Sequence, residues 1–120
     1  MCVRAIRGAI TVSENTKESI LEGTRELLVE IIKRNDLDDL NIISVIFTVT
    51  SDLNATFPAI AARELGWSGI SLMCTNEIDV PGSLKSCVRV LIHFNTDKSN
   101  KEINHVYLKG AIVLRPDLSK

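Results

Sequence analysis

The fold is decided by an alternating stretch in the last third of the chain, SCVRVLIHF at residues 86–94. In an extended chain, successive side chains point to opposite faces. One face then carries Val88, Val90, Ile92 and Phe94, and the other carries Cys87, Arg89, Leu91 and His93. The pattern predicts a β-strand with one face in the core. Its unusual member is Arg89, a permanent cation where an aliphatic residue is expected.

A second strand with an arginine is predicted at residues 3–12, which are rich in apolar and β-branched side chains. Arg7 shares its face with Ala5 and Ala9, so there is room beside it. We expect neither arginine strand to lie at an edge of the sheet. Guanidinium groups that converge on a pocket would bind a small dicarboxylate by bidentate contacts. The alternative for Arg89 is a structural ion pair with an acid such as Glu77.

The other elements are predicted from the spacing of apolar residues and from the polar, glycine and proline residues that end each segment. Apolar residues at helical spacing predict one long helix, which begins after a polar break at 13–16 and runs to about Arg34, with Asn35 as a left-handed stop. The remaining predictions are a central strand covered on both faces at 42–50, a short helix at 57–65 with Pro58 in its first turn, a strand at 70–74, a loop at 75–83 and a final strand at 106–114 that is interrupted near Gly110.

These elements predict an α+β fold, a mixed sheet of about five strands packed on one long helix. A length of 120 residues suits one domain, because two would leave neither with a good core. One helix covers only one face of such a sheet, although the strands carry apolar residues on both faces. A homo-oligomer is the expected cover for the second face.

Composition excludes several classes of function. The formal net charge of −1 gives no field that would attract nucleic acid or an anionic membrane. No apolar run approaches the roughly 18 residues that a membrane-spanning helix needs. The three cysteines, Cys2, Cys74 and Cys87, are widely spaced and form no paired framework, which indicates reduced thiols and a cytoplasmic location.

Motifs of proton-transfer, nucleophilic and metal-dependent enzymes are absent from the sequence. There is no GxSxG, P-loop, HExxH or GxGxxG, and two histidines are too few for a typical zinc site. A zinc site would need help from distant cysteines, and the absence of any metal or cofactor is what the resemblance described below implies. A nucleophile pair of Cys74 and His105 stays open, although free cysteines are more commonly small buried apolar residues.

Four ordered segments resemble the trimeric α/β class of chorismate mutase, which is unrelated in fold to the all-helical class. They read RAIRGA at 4–9, SDLNATFPA at 51–59 with AARE at 61–64, MCTNEIDV at 73–80 with GSL at 82–84 and CVRV at 87–90, and HVYL at 105–108 with VLRPDL at 113–118. A single segment would be a weak signal. The ordered set is highly specific and spans nearly the whole chain.

The resemblance implies one chorismate mutase domain over residues 1–120, assembled as a pseudo-α/β-barrel homotrimer with sites between neighbouring subunits. It also implies a cofactor-free Claisen rearrangement of chorismate to prephenate, in aromatic amino acid biosynthesis. Because no proton moves and no covalent intermediate forms, the missing acid–base motifs are explained. Two other functions stay open, a trimer that binds the ligand without turnover and an enamine or imine deaminase on a similar trimeric fold.

By resemblance, Arg89 faces the ether oxygen whose bond breaks, Arg7 and Tyr107 bind a carboxylate, and Glu77 accepts a hydrogen bond from the ring hydroxyl. Further substrate-binding residues are implied at Phe57, Ala59, Arg63, Met73, Cys74 (beside Glu77), Thr75, Asn76 and Leu114. Pattern alone would place Phe57, Met73 and Leu114 in the core. The chain departs from the family at Ile60, where some relatives carry a basic residue near the pocket mouth.

Overall fold

The computed structural model describes residues 1–117, in which one sheet and one long helix dominate. The strands are β1 (Cys2–Thr11), β2 (Ile42–Val49), β3 (Ser71–Asn76), β4 (Cys87–Thr96) and β5 (Val106–Leu108), and the α-helices are α1 (Lys17–Asn35) and α2 (Ala59–Glu64). Short 3₁₀ helices lie at Asp39–Asn41, Asn100–Glu102 and Lys109–Leu114. The prediction of a mixed five-stranded sheet on one long helix is confirmed.

The sheet has the strand order β3-β2-β4-β1-β5. The central strand β4 is antiparallel to both of its neighbours, whereas the two outer pairs, β1 with β5 and β2 with β3, are parallel. The two arginine strands, β1 and β4, are therefore both interior strands, as predicted. Arg7 and Arg89 therefore lie on strands that have a paired neighbour on both sides.

Helix α1 packs one face against the sheet. Its contact residues are buried to 7% exposure or less and include Ile20, Leu21, Leu27, Leu28 and Ile31. The helix begins at the N-cap Thr16, whose hydroxyl accepts a hydrogen bond from the Ser19 N–H. The apolar face predicted from the helical spacing of the apolar residues is thus the face that covers the sheet.

Gly8 marks the closest approach of β1 to this helix. A Cβ atom at this position would lie 2.8 Å from Ile31 Cδ1 and 3.1 Å from the backbone oxygen of Val106. The sheet and helix are therefore packed so closely at Gly8 that even a methyl group requires movement of the backbone or the core.

We expect Gly8→Ala to lower the free energy of unfolding by about 1–3 kcal/mol, because the added methyl overpacks this contact. A denaturation curve measures the change. The matched control is Gly69→Ala, since a Cβ there would meet nothing within 4 Å. Equal midpoints for the two variants would contradict the close contact at Gly8.

The helix ends one residue later than the sequence pattern indicates. The left-handed residue is Asp36, at φ 49°, and Asn35 is the last helical residue. Asn35 is 2% exposed, and its amide donates to the backbone oxygens of Ile31 and Asn104, while its Oδ1 accepts from the Asn104 N–H. The predicted stop at Asn35 was wrong because this side chain is needed inside the fold, where it holds the loop that leads into β5.

The predicted final strand is wrong beyond Leu108. Lys109 has a left-handed backbone, at φ 53°, and the Gly110 N–H donates to Thr11 Oγ1 instead of continuing the ladder. The chain then turns into the 3₁₀ helix Lys109–Leu114. Two smaller differences concern Pro58, which is the N-cap of α2 and not in its first turn, and Thr75 with Asn76, which extend β3 into the predicted loop.

Within residues 1–117, the surface of the sheet that faces away from α1 is covered only at its β5 end, where the 3₁₀ helix Lys109–Leu114 packs over Ala9 and Tyr107. We call this surface the open face; its interior members are Ala9, Arg89, Leu91, Thr48 and Ile46, and exposed Val3, Arg7 and Met73 lie at its periphery. Strand β2 was expected to be covered on both faces, but in the single chain its Ser44, Ile46 and Thr48 are only partly buried. The helices of residues 1–117 include none long and apolar enough to span a membrane.

Candidate active site

Five residues form a row across the open face, one from each strand. In the order of the sheet they are Thr75, Thr48, Arg89, Ala9 and Tyr107. Neighbouring strands are about 4.8 Å apart, so the row is a line of adjacent side chains. Arg89 stands at its centre, flanked by the small side chain of Ala9 and the hydroxyl of Thr48. The row therefore holds a cation midway between a buried end at Tyr107 and an exposed end at Thr75.

Glu77 completes the surroundings of Arg89. Its Oε2 lies 3.2 Å from Arg89 Nε and accepts a hydrogen bond from Thr48 Oγ1 at 2.5 Å. The backbone N–H of Glu77 donates to the Val49 oxygen, which extends the β2–β3 pairing by one bond. The carboxylate is thus fixed by its backbone, a hydroxyl and a cation. The ion pair that we considered as a structural alternative for Arg89 is present.

The ion pair does not satisfy Arg89. The Nε atom is buried, and among the described residues it has no hydrogen-bond partner, because the Glu77 oxygen is near enough but not aligned. The side chain as a whole is 39% exposed. A buried donor without a partner costs free energy. A ligand on the open face can reach only the exposed part of the side chain, so what Arg89 offers such a ligand is the positive charge of its guanidinium.

Thr48 is a site residue that sequence reasoning missed. Its alternation within β2 placed it on a face, but nothing in the sequence showed that Arg89 would pair with it or that Glu77 would come within reach of its hydroxyl. The sequence did hold one signal for Thr48. It is a polar side chain in an otherwise apolar strand, on the same predicted face as the aliphatic Ile46. Thr48 holds the Glu77 carboxylate and is a positioning residue.

We expect Thr48→Val to lower kcat/KM roughly tenfold for chorismate, the substrate that the resemblance implies, because a hydrogen bond to a charged group contributes about 1.5 kcal/mol or more. The valine keeps the shape and removes the donor. Steady-state kinetics measure the loss, and Thr48→Ser, which keeps the hydroxyl, is the control. Equal kcat/KM values for the valine and serine variants would remove Thr48 from the site.

The start of β4 is held in a strained conformation. Ser86 has a left-handed backbone, at φ 54°, which costs free energy in a non-glycine residue. Asp52 accepts hydrogen bonds from the Ser86 N–H at 2.9 Å and from its hydroxyl at 3.1 Å. Hydrogen bonds from the Thr50 side chain and then from Ser86 lower the pKa of Asp52. This loop fixes the chain three residues before Arg89.

Tyr107 closes one end of the row within a small cluster. It is 7% exposed and packs with Ala9, Cys87 and Ala111, and Leu114 packs against the same cluster. Burial raises the pKa of the Cys87 thiol, although the charge of Arg89 opposes the rise. Cys87 is therefore a protonated apolar neighbour of Arg89 and not a nucleophile at neutral pH.

Arg7 lies two residues from Ala9 along β1, so it shares the open face, and it is exposed. The chain therefore places on one side of the sheet five of the residues that the resemblance singles out, which are Arg7, Glu77, Arg89, Tyr107 and Leu114. We call these five the arginine group. They combine two cations, one carboxylate and one phenol around a partly apolar floor.

The remaining predicted residues are not brought to Arg89 by the same chain. Helix α2 packs on α1 and β3, and Ala59 belongs to the main core on the helix side of the sheet. Phe57 lies just before this helix and is 67% exposed, and Arg63 is exposed on it. We call Phe57, Ala59 and Arg63 the α2 group. An exposed phenylalanine is unexplained within the single chain.

Strand β3 carries the rest of the predicted set. Met73, at 61% exposure, and Thr75 lie on the open face, and Asn76 ends the strand. Cys74 alternates to the other face, where it packs against the core cluster opposite Phe47. Its thiol is thus not beside the Glu77 carboxylate, which lies on the face of Thr75.

The Cys74–His105 nucleophile pair is ruled out by the strand order. Cys74 lies on β3 at one edge of the sheet, and His105 directly precedes β5 at the opposite edge. Within residues 1–117 no three His, Cys, Asp or Glu side chains are grouped to hold a metal ion. The chemistry available at the row is therefore that of fixed charges and hydrogen bonds.

Comparison with known proteins identifies the family. The profile of chorismate mutase type I matches residues 3–118. The chorismate mutase AroH of Bacillus subtilis is 46% identical over 99% of this chain and 94% of its own length, and that of Thermus thermophilus is 49% identical over 97% and 96%. A solved chorismate mutase from Clostridium thermocellum is 60% identical, with a TM-score of 0.90 over 92% of this chain and 98% of that one. The chain therefore belongs to the type I chorismate mutase family.

Proposed function

We propose that this chorismate mutase, an isomerase of aromatic amino acid biosynthesis, rearranges chorismate to prephenate by holding the substrate in a compact conformer and stabilising charge with Arg89. The observation that carries the proposal is the position of Arg89, a 39% exposed guanidinium between Ala9 and Thr48 at the centre of the row, with its Nε 3.2 Å from Glu77 Oε2. The family match of the same chain supports the substrate and product.

The rearrangement breaks a C–O bond and forms a C–C bond in one step. Negative charge grows on the ether oxygen as the bond to it breaks, so a cation beside this oxygen binds the transition state more tightly than the substrate. Only such a difference raises kcat. Arg89 supplies the cation without reorganising at the moment of reaction, because β1, β2 and the Glu77 carboxylate already fix it.

The other members of the arginine group restrict the substrate. Arg7 and Tyr107 bind a carboxylate, and Glu77 accepts a hydrogen bond from the ring hydroxyl. Glu77 is suited to this because Thr48 holds Oε2, while no residue of 1–117 forms a hydrogen bond with its second oxygen. Leu114, packed beside Tyr107, closes an apolar side of the pocket. Holding a flexible dianion in its reactive conformer can contribute several kcal/mol to the rate acceleration.

A neighbouring copy of the chain completes each site, in a homotrimer. The α2 group and Met73 lie outside the arginine group of their own chain, yet Phe57 and Met73 are large, apolar and more than 60% exposed. The open face likewise needs a cover. Docking one chain's open face against the β3 edge and α2 of the next would bury both surfaces and bring Phe57, Ala59 and Arg63 to Arg89. Met73, Cys74, Thr75 and Asn76 then contribute to the wall mainly through their backbones.

The reaction needs no cofactor or metal in this proposal, and it takes place in the cytoplasm, where the free thiols of Cys2, Cys74 and Cys87 stay reduced. A direct absorbance assay of chorismate loss, on purified protein treated with a chelator, tests the proposal. We expect full turnover to prephenate after chelation. Calorimetric binding of chorismate without turnover would instead identify a ligand-binding trimer.

A further inference from the structure

His105 directly precedes β5 and contacts the arginine group without taking part in the proposed chemistry. Its Nδ1 accepts a hydrogen bond of 2.9 Å from the backbone N–H of Arg7. A backbone N–H can only donate, so Nδ1 carries no proton. The imidazole is therefore neutral, with its one proton on Nε2.

This hydrogen bond extends the pairing of β1 with β5. The two strands pair only from Gly8 to Ile10 and from Val106 to Leu108. The Arg7 N–H lies one residue outside the paired segment, and the imidazole supplies the acceptor that a longer β5 would have supplied. The backbone from which the Arg7 side chain extends is thereby fixed to the strand that carries Tyr107.

The charges around His105 disfavour a second proton. The charged groups that act on it are two cations, Arg7 on β1 and Arg115 just after the 3₁₀ helix Lys109–Leu114. Asp117 is paired with Arg115 and is also influenced by Arg7, so this carboxylate is already engaged. Burial, and then the two arginines, lower the pKa of His105. Protonation would remove the acceptor for the Arg7 N–H and add a third positive charge.

We propose that neutral His105 is a positioning residue for Arg7, and that its protonation loosens the Arg7 backbone on its β5 side and weakens substrate binding in acid. This inference rests on the proposed role of Arg7 in binding a substrate carboxylate. Because His105 contacts the backbone of Arg7 and not the reacting atoms, its loss is expected to act on KM more than on kcat.

The first test is the pH dependence of KM for chorismate in three proteins. In the unsubstituted protein, KM should rise as the pH falls through the pKa of His105. His105→Asn offers an amide oxygen near the position of Nδ1 and does not titrate, so its KM should lack this rise. His105→Ala has no acceptor, and its KM should be roughly fivefold higher even at neutral pH, the loss expected for one neutral hydrogen bond. An acid rise in KM that is the same in the asparagine variant would overturn the proposal.

The second test does not depend on activity. The chain has two histidines, so ¹⁵N spectra of the imidazoles can be assigned with the His105→Asn variant. We expect the His105 Nδ1 signal of an unprotonated nitrogen at neutral pH, and a signal of a protonated Nδ1 would refute the hydrogen bond. If that bond is confirmed but Arg7→Ala leaves KM unchanged, the proposed role of Arg7 fails, and with it the link from His105 to binding.

Discussion

Replacing Arg89 with Ala is expected to lower kcat for chorismate roughly a hundredfold or more. The reason is the loss of a preorganised cation beside the ether oxygen, and removal of one such group typically costs about 3 kcal/mol or more in the transition state. Steady-state kinetics at saturating chorismate measure the change. Arg89→Lys should also be impaired, because a point charge on a flexible stem cannot keep the geometry of the planar guanidinium.

The control for this prediction is Arg4→Ala. Arg4 lies on β1, pairs with Phe94 of β4 and therefore belongs to the face of α1, where its Nε donates to the Lys98 backbone oxygen. Its removal changes the net charge by the same amount and should leave kcat unaltered. Retention of full kcat by Arg89→Ala, in a protein that remains folded, would contradict the assignment of Arg89 as the electrostatic catalyst.

The second large effect is recovery of activity on mixing two inactive variants. Arg89→Ala inactivates the arginine group by removing its central cation. Phe57→Asp places a carboxylate in the α2 group, where repulsion of the substrate dianion should cost several kcal/mol. Phe57 is exposed in its own chain, so the fold tolerates the change. When equal amounts are refolded together, about a quarter of the shared sites in randomly mixed trimers contain neither substitution. We expect about a quarter of the unsubstituted activity.

The matched control mixes Arg89→Ala with Glu77→Ala. Both changes lie in the arginine group of the same chain, since the two side chains are paired within it. Every shared site would then carry one of the two substitutions, and no recovery is expected. Native mass spectrometry confirms that mixed trimers form. If mixtures with Phe57→Asp stay as inactive as their parents although mixed trimers exist, the site does not span two chains.

The architecture could be predicted because its signals are local. Alternation around Arg89 and Arg7 and the helical spacing of residues 20–32 each report which face enters the core. The predicted ends of the helix and of the last strand were wrong where a contact with a residue distant in sequence determines where the element ends. Asn35 continues the helix because Asn104, 69 residues away, needs its side chain. The last strand ends at Leu108 because Thr11 takes the Gly110 N–H.

The site was less accessible to sequence reasoning than the fold. Arg89 was conspicuous as a cation in an apolar pattern, but its neighbours depend on register, which strand patterns do not specify across nonconsecutive strands. Register is what places Thr48 and Ala9 on either side of Arg89. Cys74, adjacent in sequence to Thr75, points away from Glu77 because successive side chains of β3 alternate between the two faces. The roles of Arg7, Glu77 and Tyr107 came from the family resemblance and remain to be tested.

The order of the strands also constrains how the chain acquires its shape over time. β1 is made first, but both of its partners are made last: Cys2 pairs with Thr96, and Ala9 pairs with Tyr107. Closing such long loops is entropically slow, so high contact order predicts slow folding for this small protein. During synthesis β1 stays without its sheet partners until the chain as far as Thr96 and then Leu108 has left the ribosome. Because Arg7, Arg89 and Tyr107 come from these same three strands, the final pairing that completes the sheet also assembles the arginine group.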